Sequence, residues 1–123
     1  MSRNIYIAGP MTGLPFFNAA AFNKADALLR AEYDAVFNPV LHDCNVFGDA
    51  LIYENETGDP KQAVAAGFDL RRALGDDTAW ICENATHIAM LPGWERSAGA
   101  RAEHALATAL RLDIIYLTAE QLA

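Results

Sequence analysis

The amino-acid sequence predicts an α/β domain with a small open parallel sheet flanked by helices. Short β-like apolar runs alternate with helical runs along the chain, as they do in parallel sheets that are covered by helices. The 123 residues, 53% of them hydrophobic and 20% charged, are enough for one domain with a real core and too few for two. We therefore expect a single domain over residues 1–123.

Four strands are expected in the sheet, each a short run rich in apolar residues. They are Asn4–Ala8, Asp34–Phe37, Thr86–Leu91 and Asp113–Leu117. The first is closed by Gly9-Pro10 and the second by Asn38-Pro39, and both pairs are strong turn signals. A sheet of about four to five strands with helical connections is typical of a Rossmann-like or flavodoxin-like fold.

Helices are expected where apolar residues recur at three- and four-residue spacing. These runs are Asn18–Glu32, Lys61–Leu74, Asp76–Glu83 and Ala98 to about Arg111, with Gly75 separating the second from the third. From Val40 to Pro60 there is no clear period, and the acidic run Tyr53–Pro60 is expected to be an exposed loop. A connection of this length is uncommon unless it serves as a lid or a binding loop.

Composition excludes several classes of function. The net charge of −7 argues against a nucleic-acid polymer as partner, and no apolar run approaches the ~20 residues of a membrane span. Cys44 and Cys82 lack CxxC spacing and no signal-like segment opens the chain, which indicates free thiols and a cytoplasmic protein. Because His42, His87 and His104 share no spacing with the carboxylates, we predict no metal site. We also expect no organic cofactor.

The stretch Leu91–Ala105 contains the end of an apolar run, a turn and a helix that starts with small residues. Ser97 stands directly before the helical run and is the expected N-cap. Backbone N–H groups near Ser97, Ala98 and Gly99 are then free to face an anion or a sugar.

Glu103 is unusual for a charged residue of a surface helix. It lies away from the polar stripe of that helix, and it is too far from Ser97 to complete a capping box. Two interpretations stay open from the residues alone. Glu103 is either a solvated residue at the edge of the apolar face or a carboxylate held in a small-residue pocket for nucleophilic or acid–base work.

Two loops are placed to bind a small molecule, because ligands of open parallel sheets bind beyond the carboxyl ends of the strands. One runs from Pro92 to Ser97, and the other consists of Gly9, Pro10, Met11, Thr12 and Gly13. Its two glycines allow close backbone approach and Thr12 offers a hydroxyl. The loop has neither the Gly-Lys-Ser/Thr ending of a Walker A motif nor a GxGxxG fingerprint.

Three features together resemble the nucleoside 2-deoxyribosyltransferase superfamily. They are Tyr6-Ile-Ala-Gly-Pro, an aspartate 26 residues before a glutamate, and Ser97-x-Gly99-x-x-x-Glu103-x-Ala105 at a strand-to-helix turn. Small phage and bacterial proteins of the DUF4406 type are similar in a Leu-Pro-Gly-Trp-x-x-Ser-x-Gly-Ala run. The likeness covers almost the whole chain in element order and is specific only in the first strand-loop and in residues 91–105.

The resemblance implies that the target is the N-glycosidic bond of a (deoxy)nucleoside or its 5′-monophosphate. Glu103 would be the nucleophile at C1′, Tyr6 would lie beside it, and Asp77 would assist the leaving base, with Asp76 as the alternative match. A carboxylate can form a glycosyl ester and so divide one displacement into two. Whether water or a second base accepts the sugar stays open, as does a non-catalytic nucleotide-binding or sequestering module.

Several of these residues also have ordinary structural interpretations. Tyr6 fits a buried strand position, Trp94 either stacks on a base or closes a loop over the core, and Asp69 is expected to pair with Arg72 or Lys61.

Ser97 matches the position where, in the resembled superfamily, a serine accompanies action on 5′-monophosphates and an acidic residue accompanies action on free nucleosides. The resemblance also implies a homo-oligomer, with Lys61–Leu74 as a candidate interface, and a location in the cytoplasm, that of the host if the protein is phage-encoded.

Overall fold

A computed structural model describes residues 2–123 and has one parallel sheet between helices, which confirms the predicted fold class. The strands are β1 (Asn4–Ala8), β2 (Ala35–Phe37), β3 (His87–Met90) and β4 (Asp113–Tyr116). The helices are α1 (Ala19–Leu29), α2 (Pro39–Phe47), α3 (Ala50–Tyr53), α4 (Pro60–Ala65), α5 (Leu70–Asn84) and α6 (Ala98–Ala109), with short 3₁₀ turns at Pro15–Asn18 and Trp94–Arg96.

The strand order is β2-β1-β3-β4, and all neighbouring pairs are parallel. Tyr6 lies opposite Phe37 on one side and opposite Ile88 on the other. The connection from β1 leads to one side of the sheet and the later chain returns to the other side, so the strand order reverses between β1 and β3. In doubly wound folds this reversal opens a ligand crevice beyond the carboxyl ends of the two strands.

Successive side chains of the central strands point to opposite faces of the sheet and pack into two cores, one on each face. Ile5 and Ile7 pack with residues of α1, α2 and α3, whereas Tyr6 and Ala8 pack with residues of α5 and α6. All four side chains are buried, as expected for strands that are covered on both faces. The Tyr6 side chain therefore faces the α5–α6 side of the sheet.

The segment from Val40 to Pro60, which the sequence predicts to lack regular structure, contains two helices instead. Asn38 caps α2 by accepting a hydrogen bond from the Val40 N–H group, and Pro39 occupies the first turn. The cap and the proline are therefore enough to start a helix here, although the apolar residues that follow show only a weak helical period. The remaining loop is tied down, because the buried Asn55 side chain exchanges two hydrogen bonds with the Asp59 backbone.

The predicted division between the next two helices at Gly75 is wrong. The interruption lies at residues 66–69, where Gly67 has φ +105°, and α5 runs without a break through Gly75. Asp69 caps α5 by accepting the Arg72 N–H, so its predicted ion pairing with Arg72 or Lys61 is replaced by a capping role. A glycine inside a helix costs only about 1 kcal/mol, which a good cap and a packed face outweigh.

Within residues 2–123, no helix combines the length and the apolar character needed to cross a bilayer. Both cysteines are free thiols, with Cys44 buried and Cys82 exposed.

Candidate functional site

A cavity of about 280 Å³ opens beyond the carboxyl ends of β1 and β3. Its walls are mostly apolar and include Phe17, Phe22, Leu51, Ile52, Phe68 and Leu74. The lining residues with polar side chains are Tyr6, Thr12, Asp43, Asp77, Ser97 and Glu103. Within residues 2–123, no lysine, arginine or histidine lines this space, whereas three carboxyl side chains do.

The structure brings most of the sequence-predicted site residues to this cavity. Those that line it are Tyr6, Gly9, Met11, Thr12, Asp77, Ser97, Gly99 and Glu103. The predicted ligand-binding residues that do not line it are Pro10, Gly13, Trp94 and Ala98. Both candidate loops therefore reach the cavity, but only through some of their residues.

Tyr6 and Glu103 form a buried hydrogen-bonded pair at the floor of the cavity. The Tyr6 hydroxyl donates to Glu103 Oε2 over 2.7 Å, joining β1 to α6. Glu103 is only 6% exposed, which excludes the solvated interpretation. Burial raises the pKa of Glu103 to about 8, with the Tyr6 hydrogen bond opposing the shift and the charge of Asp77 adding to it. Burial likewise raises the Tyr6 pKa well above its usual value.

Of the two adjacent aspartates, it is Asp77 that lines the cavity. Asp76 lies at the surface, where its Oδ2 is 3.0 Å from His42 Nε2 and 3.6 Å from the Arg72 guanidinium. Asp77 is buried, and its Oδ1 has no hydrogen-bond partner within residues 2–123. Burial raises the Asp77 pKa to about 6, against the opposing influence of the Tyr6 hydroxyl and of His42.

Asp43 is a third buried carboxyl group that the sequence reasoning missed. It projects from α2, is 4% exposed, and carries an Oδ1 without a partner within residues 2–123. Burial raises its pKa to about 7, with the charge of Asp77 adding to the shift. One signal was available in the sequence: Asp43 stands at helical spacing among Val40, Cys44 and Phe47, on what is otherwise an apolar face.

The N-terminus of α6 forms one edge of the cavity. The predicted cap is confirmed, because Ser97 Oγ accepts the Ala100 N–H over 3.2 Å and the Ser97 carbonyl accepts that of Arg101. Within residues 2–123 the N–H groups of Ala98 and Gly99 have no acceptor. Capping uses a lone pair of the serine oxygen and leaves its hydroxyl proton available to a ligand.

Three of the predicted binding residues are engaged elsewhere in the structure. The Gly13 N–H donates to the Gly58 carbonyl over 2.8 Å, so it is not a free donor. The Trp94 ring stacks on His104 with centroids 4.3 Å apart and packs against the core on the α5–α6 face of the sheet. Trp94 therefore closes a loop over the core, the structural alternative that the sequence left open. The Pro10 carbonyl accepts a hydrogen bond from the Asn18 side chain.

Position 9 requires glycine for a steric reason that the sequence alone did not show. A Cβ added at Gly9 would lie 2.7 Å from Leu91 Cβ, closer than such atoms approach each other. The missing side chain lets the ends of β1 and β3 meet where the cavity begins.

The arrangement suits proton transfer and covalent chemistry by carboxyl groups. Three carboxyls with raised pKa values share an apolar enclosure, so each can be held protonated or ionised near neutral pH. Within residues 2–123, no group of three or more His, Cys, Asp or Glu side chains has the geometry to hold a metal ion.

Comparison with known proteins gives one match. No curated protein and no solved structure matches the chain. A protein family described as a domain of unknown function, DUF4406, matches residues 3–116, nearly the whole chain. This protein is therefore a member of the DUF4406 family.

Proposed function

We propose that this protein cleaves, or transfers the sugar at, the N-glycosidic bond of a (deoxy)nucleoside 5′-monophosphate or nucleoside. The observation that carries the proposal is the buried Tyr6–Glu103 pair with Asp77 beside it in an otherwise apolar cavity. The sequence resemblance to nucleoside 2-deoxyribosyltransferases supports the same chemistry, because Tyr6, Asp77 and Glu103 are the residues it singles out. The cavity volume of about 280 Å³ lies close to the lower end of the range for small-molecule pockets, about 300–1,000 Å³.

The reaction would proceed in two displacements. A Glu103 carboxylate oxygen attacks C1′ while the C1′–N bond breaks, and the electron pair of that bond leaves with the base. The Asp77 carboxyl supplies the proton that neutralises the departing base. Water or a second base then attacks C1′, releases the Glu103 carboxylate and returns a proton to Asp77. Two inversions give net retention.

The protonation states add a condition to this mechanism. With a pKa of about 8 for Glu103 and about 6 for Asp77, the resting site at neutral pH holds its proton on Glu103. The reactive form has the same number of protons but carries the proton on Asp77. Tyr6, which donates to Glu103, stabilises the ionised glutamate that this form requires.

A second candidate function is a non-catalytic nucleotide-binding module. The observation that favours it is the same pKa of about 8, which keeps Glu103 protonated and a poor nucleophile in the resting protein. In that case the cavity would bind a nucleotide without turnover.

Replacing Glu103 separates the two candidates. Glu103→Gln should abolish base release from pooled nucleosides and deoxynucleoside 5′-monophosphates, because an amide cannot form the glycosyl ester. The fold should survive, since glutamine still accepts the Tyr6 hydrogen bond. Glu95→Gln is a matched control, because Glu95 is an exposed glutamate of the same sequence motif, and it should keep wild-type turnover.

A 2′-fluoro-arabinosyl substrate should leave a sugar adduct on Glu103 of the wild-type protein, detectable by mass spectrometry of the intact chain and its peptides. Undiminished base release by Glu103→Gln would rule out the nucleophile assignment. Nucleotide binding without base release by the wild type would support the binding module.

A further inference from the structure

Two aromatic side chains pack against the Tyr6 ring on the face of the sheet that α5 and α6 cover. Phe37 stacks on the ring with centroids 5.3 Å apart and an interplanar angle of 23°. Trp80 reaches the cluster from α5, with its ring centroid 6.5 Å from that of Tyr6 and 5.2 Å from that of Phe37. Of the three, only Tyr6 lines the cavity. Phe37 and Trp80 are therefore placed to influence the site through Tyr6 rather than by touching a ligand.

The register of the sheet fixes Phe37 beside Tyr6. The two residues are direct partners in the parallel pairing of β1 and β2, so their side chains project from the same face. Phe37 ends β2, which is an edge strand. Asn38, the next residue, is buried, and its side chain donates to Asn23 Oδ1 and to Asp26 Oδ2. These hydrogen bonds anchor the end of β2 to α1, so the Phe37 ring occupies a fixed place against the Tyr6 ring.

The hydrogen bond from Tyr6 to Glu103 depends on how the Tyr6 ring is held. The hydroxyl stands at the far end of a rigid ring, so a small rotation about the Cα–Cβ bond displaces its oxygen more than any ring atom. The hydrogen bond is 2.7 Å long, and bonds between two oxygens weaken beyond about 3.0 Å. A functional side chain must be kept within about 0.5 Å of its working position, which its neighbours achieve by packing. Phe37 is the stacked neighbour of Tyr6 across the sheet.

We propose that Phe37 is a positioning residue, which holds the Tyr6 hydroxyl on Glu103 by stacking on the Tyr6 ring. The catalytic consequence rests on the proposed function, in which Glu103 must be ionised to attack C1′. The Tyr6 hydrogen bond lowers the pKa of Glu103 against the effect of burial, so a displaced hydroxyl leaves Glu103 protonated over a wider pH range. Each pH unit by which the Glu103 pKa rises lowers the population of the reactive form about ten-fold.

Carbon-13 NMR of the glutamate carboxyl groups measures the Glu103 pKa without turnover, and the Glu103 signal is assigned by its absence from Glu103→Gln. Tyr6→Phe removes the hydroxyl and should raise that pKa by about one to two pH units, the effect of a hydrogen bond to a charged group. Phe37→Leu should raise it by part of that amount. In the Tyr6→Phe background, Phe37→Leu should have no further effect, since no hydroxyl remains to be positioned. An unchanged or lowered Glu103 pKa in Phe37→Leu would overturn the proposal.

Phe47→Leu is the matched control for Phe37→Leu. Phe47 is also a partly buried phenylalanine in an aromatic pair with centroids 5.3 Å apart, but it packs against Phe68 on the opposite face of the sheet. The control should lose stability in urea and leave the Glu103 pKa unchanged. Phe37→Met, which fills the same space without a flat ring, is a milder second variant and should also raise the pKa. An equal rise in Phe47→Leu would contradict the assignment, because it would trace the effect to packing in general.

Kinetics distinguishes failure of this inference from failure of the proposed function. Phe37→Leu should lower kcat/KM for base release near neutral pH and approach the wild type at alkaline pH, where Glu103 is ionised in both proteins. A loss of equal size at every pH would indicate a structural role and remove the positioning role, while the glycosidic chemistry would stand. If no substrate releases its base, the proposed function fails. The NMR titration then decides by itself whether Phe37 positions the Tyr6 hydroxyl.

Discussion

Asp77 and Glu103 are adjacent titrating groups, and their chemistry depends on which of them carries a proton. Burial raises their pKa values to about 6 and about 8, the Tyr6 hydroxyl opposes both shifts, and the charge of Asp77 raises the pKa of Glu103 further. Such a pair titrates in two coupled steps rather than as two independent residues. The proposed reaction requires the state in which one proton is present on the pair.

A bell-shaped dependence of kcat/KM on pH follows from this requirement. Activity should fall below about pH 6, where both carboxyls are protonated, and above about pH 8, where both are ionised. Asp77→Asn should remove the alkaline decline, because no acid remains to be lost, and should slow poor leaving bases more than good ones. Rates measured between about pH 5 and pH 9 check this, and equal losses for all leaving groups would indicate a structural Asp77.

At the scale of the element, α6 combines the proposed nucleophile with a helix N-terminus that can bind an anion. Ser97 caps the helix, while the N–H groups of Ala98 and Gly99 are without acceptors within residues 2–123. Glu103 lies farther along the same helix and points to the cavity floor. One helix could therefore position a 5′-phosphate and C1′ of the same nucleotide, with the helix dipole favouring the anionic end.

Ser97→Asp tests the phosphate assignment without removing the cap, because aspartate caps helices as well as serine does. The wild type should prefer a deoxynucleoside 5′-monophosphate over its free nucleoside. The variant should lose that preference, roughly ten-fold or more, because its carboxylate repels the phosphate. Ser97→Thr keeps both cap and hydroxyl and serves as the control. Equal kcat/KM values on both substrates in the wild type would refute the assignment.

At the scale of the whole molecule, the cavity carboxyls couple folding to pH. In the unfolded chain these groups titrate near pH 4, whereas in the folded protein Asp77, Asp43 and Glu103 titrate at about 6, about 7 and about 8. The folded state therefore binds more protons throughout this range. These protons therefore stabilise the folded state at low pH, and that contribution to the free energy of unfolding is lost as the pH rises through the folded pKa values.

The free energy of unfolding should accordingly decrease between about pH 5 and pH 9. Each pKa unit corresponds to about 1.4 kcal/mol, so the combined effect reaches several kcal/mol. Glu103→Gln removes the group with the highest of the three values and should flatten the upper part of the decrease, whereas the exposed Glu95→Gln should not. Urea denaturation at a series of pH values measures both. A free energy that rises over this range would contradict the assigned pKa directions.

Local sequence signals predicted most of the fold. The strand runs, the Gly9-Pro10 and Asn38-Pro39 turns and the Ser97 cap each act over a few residues, so they can be read without the rest of the chain. The errors arose where two local signals compete. Gly75 looked like a break but lies inside α5, and the capped start of α2 was hidden by a weak apolar period.

The site was predicted only in part, since the sequence gives residue types and spacing but not enclosure. The sequence by itself determined the parallel α/β class and the loops at the carboxyl ends of β1 and β3. It also showed that Glu103 lies away from the polar stripe of its helix. Only the tertiary structure decided that Glu103 is buried against Tyr6, that Asp77 rather than Asp76 faces the cavity, and that Asp43 joins them. The physical reason is that desolvation depends on atoms contributed by distant segments, and no local pattern records them.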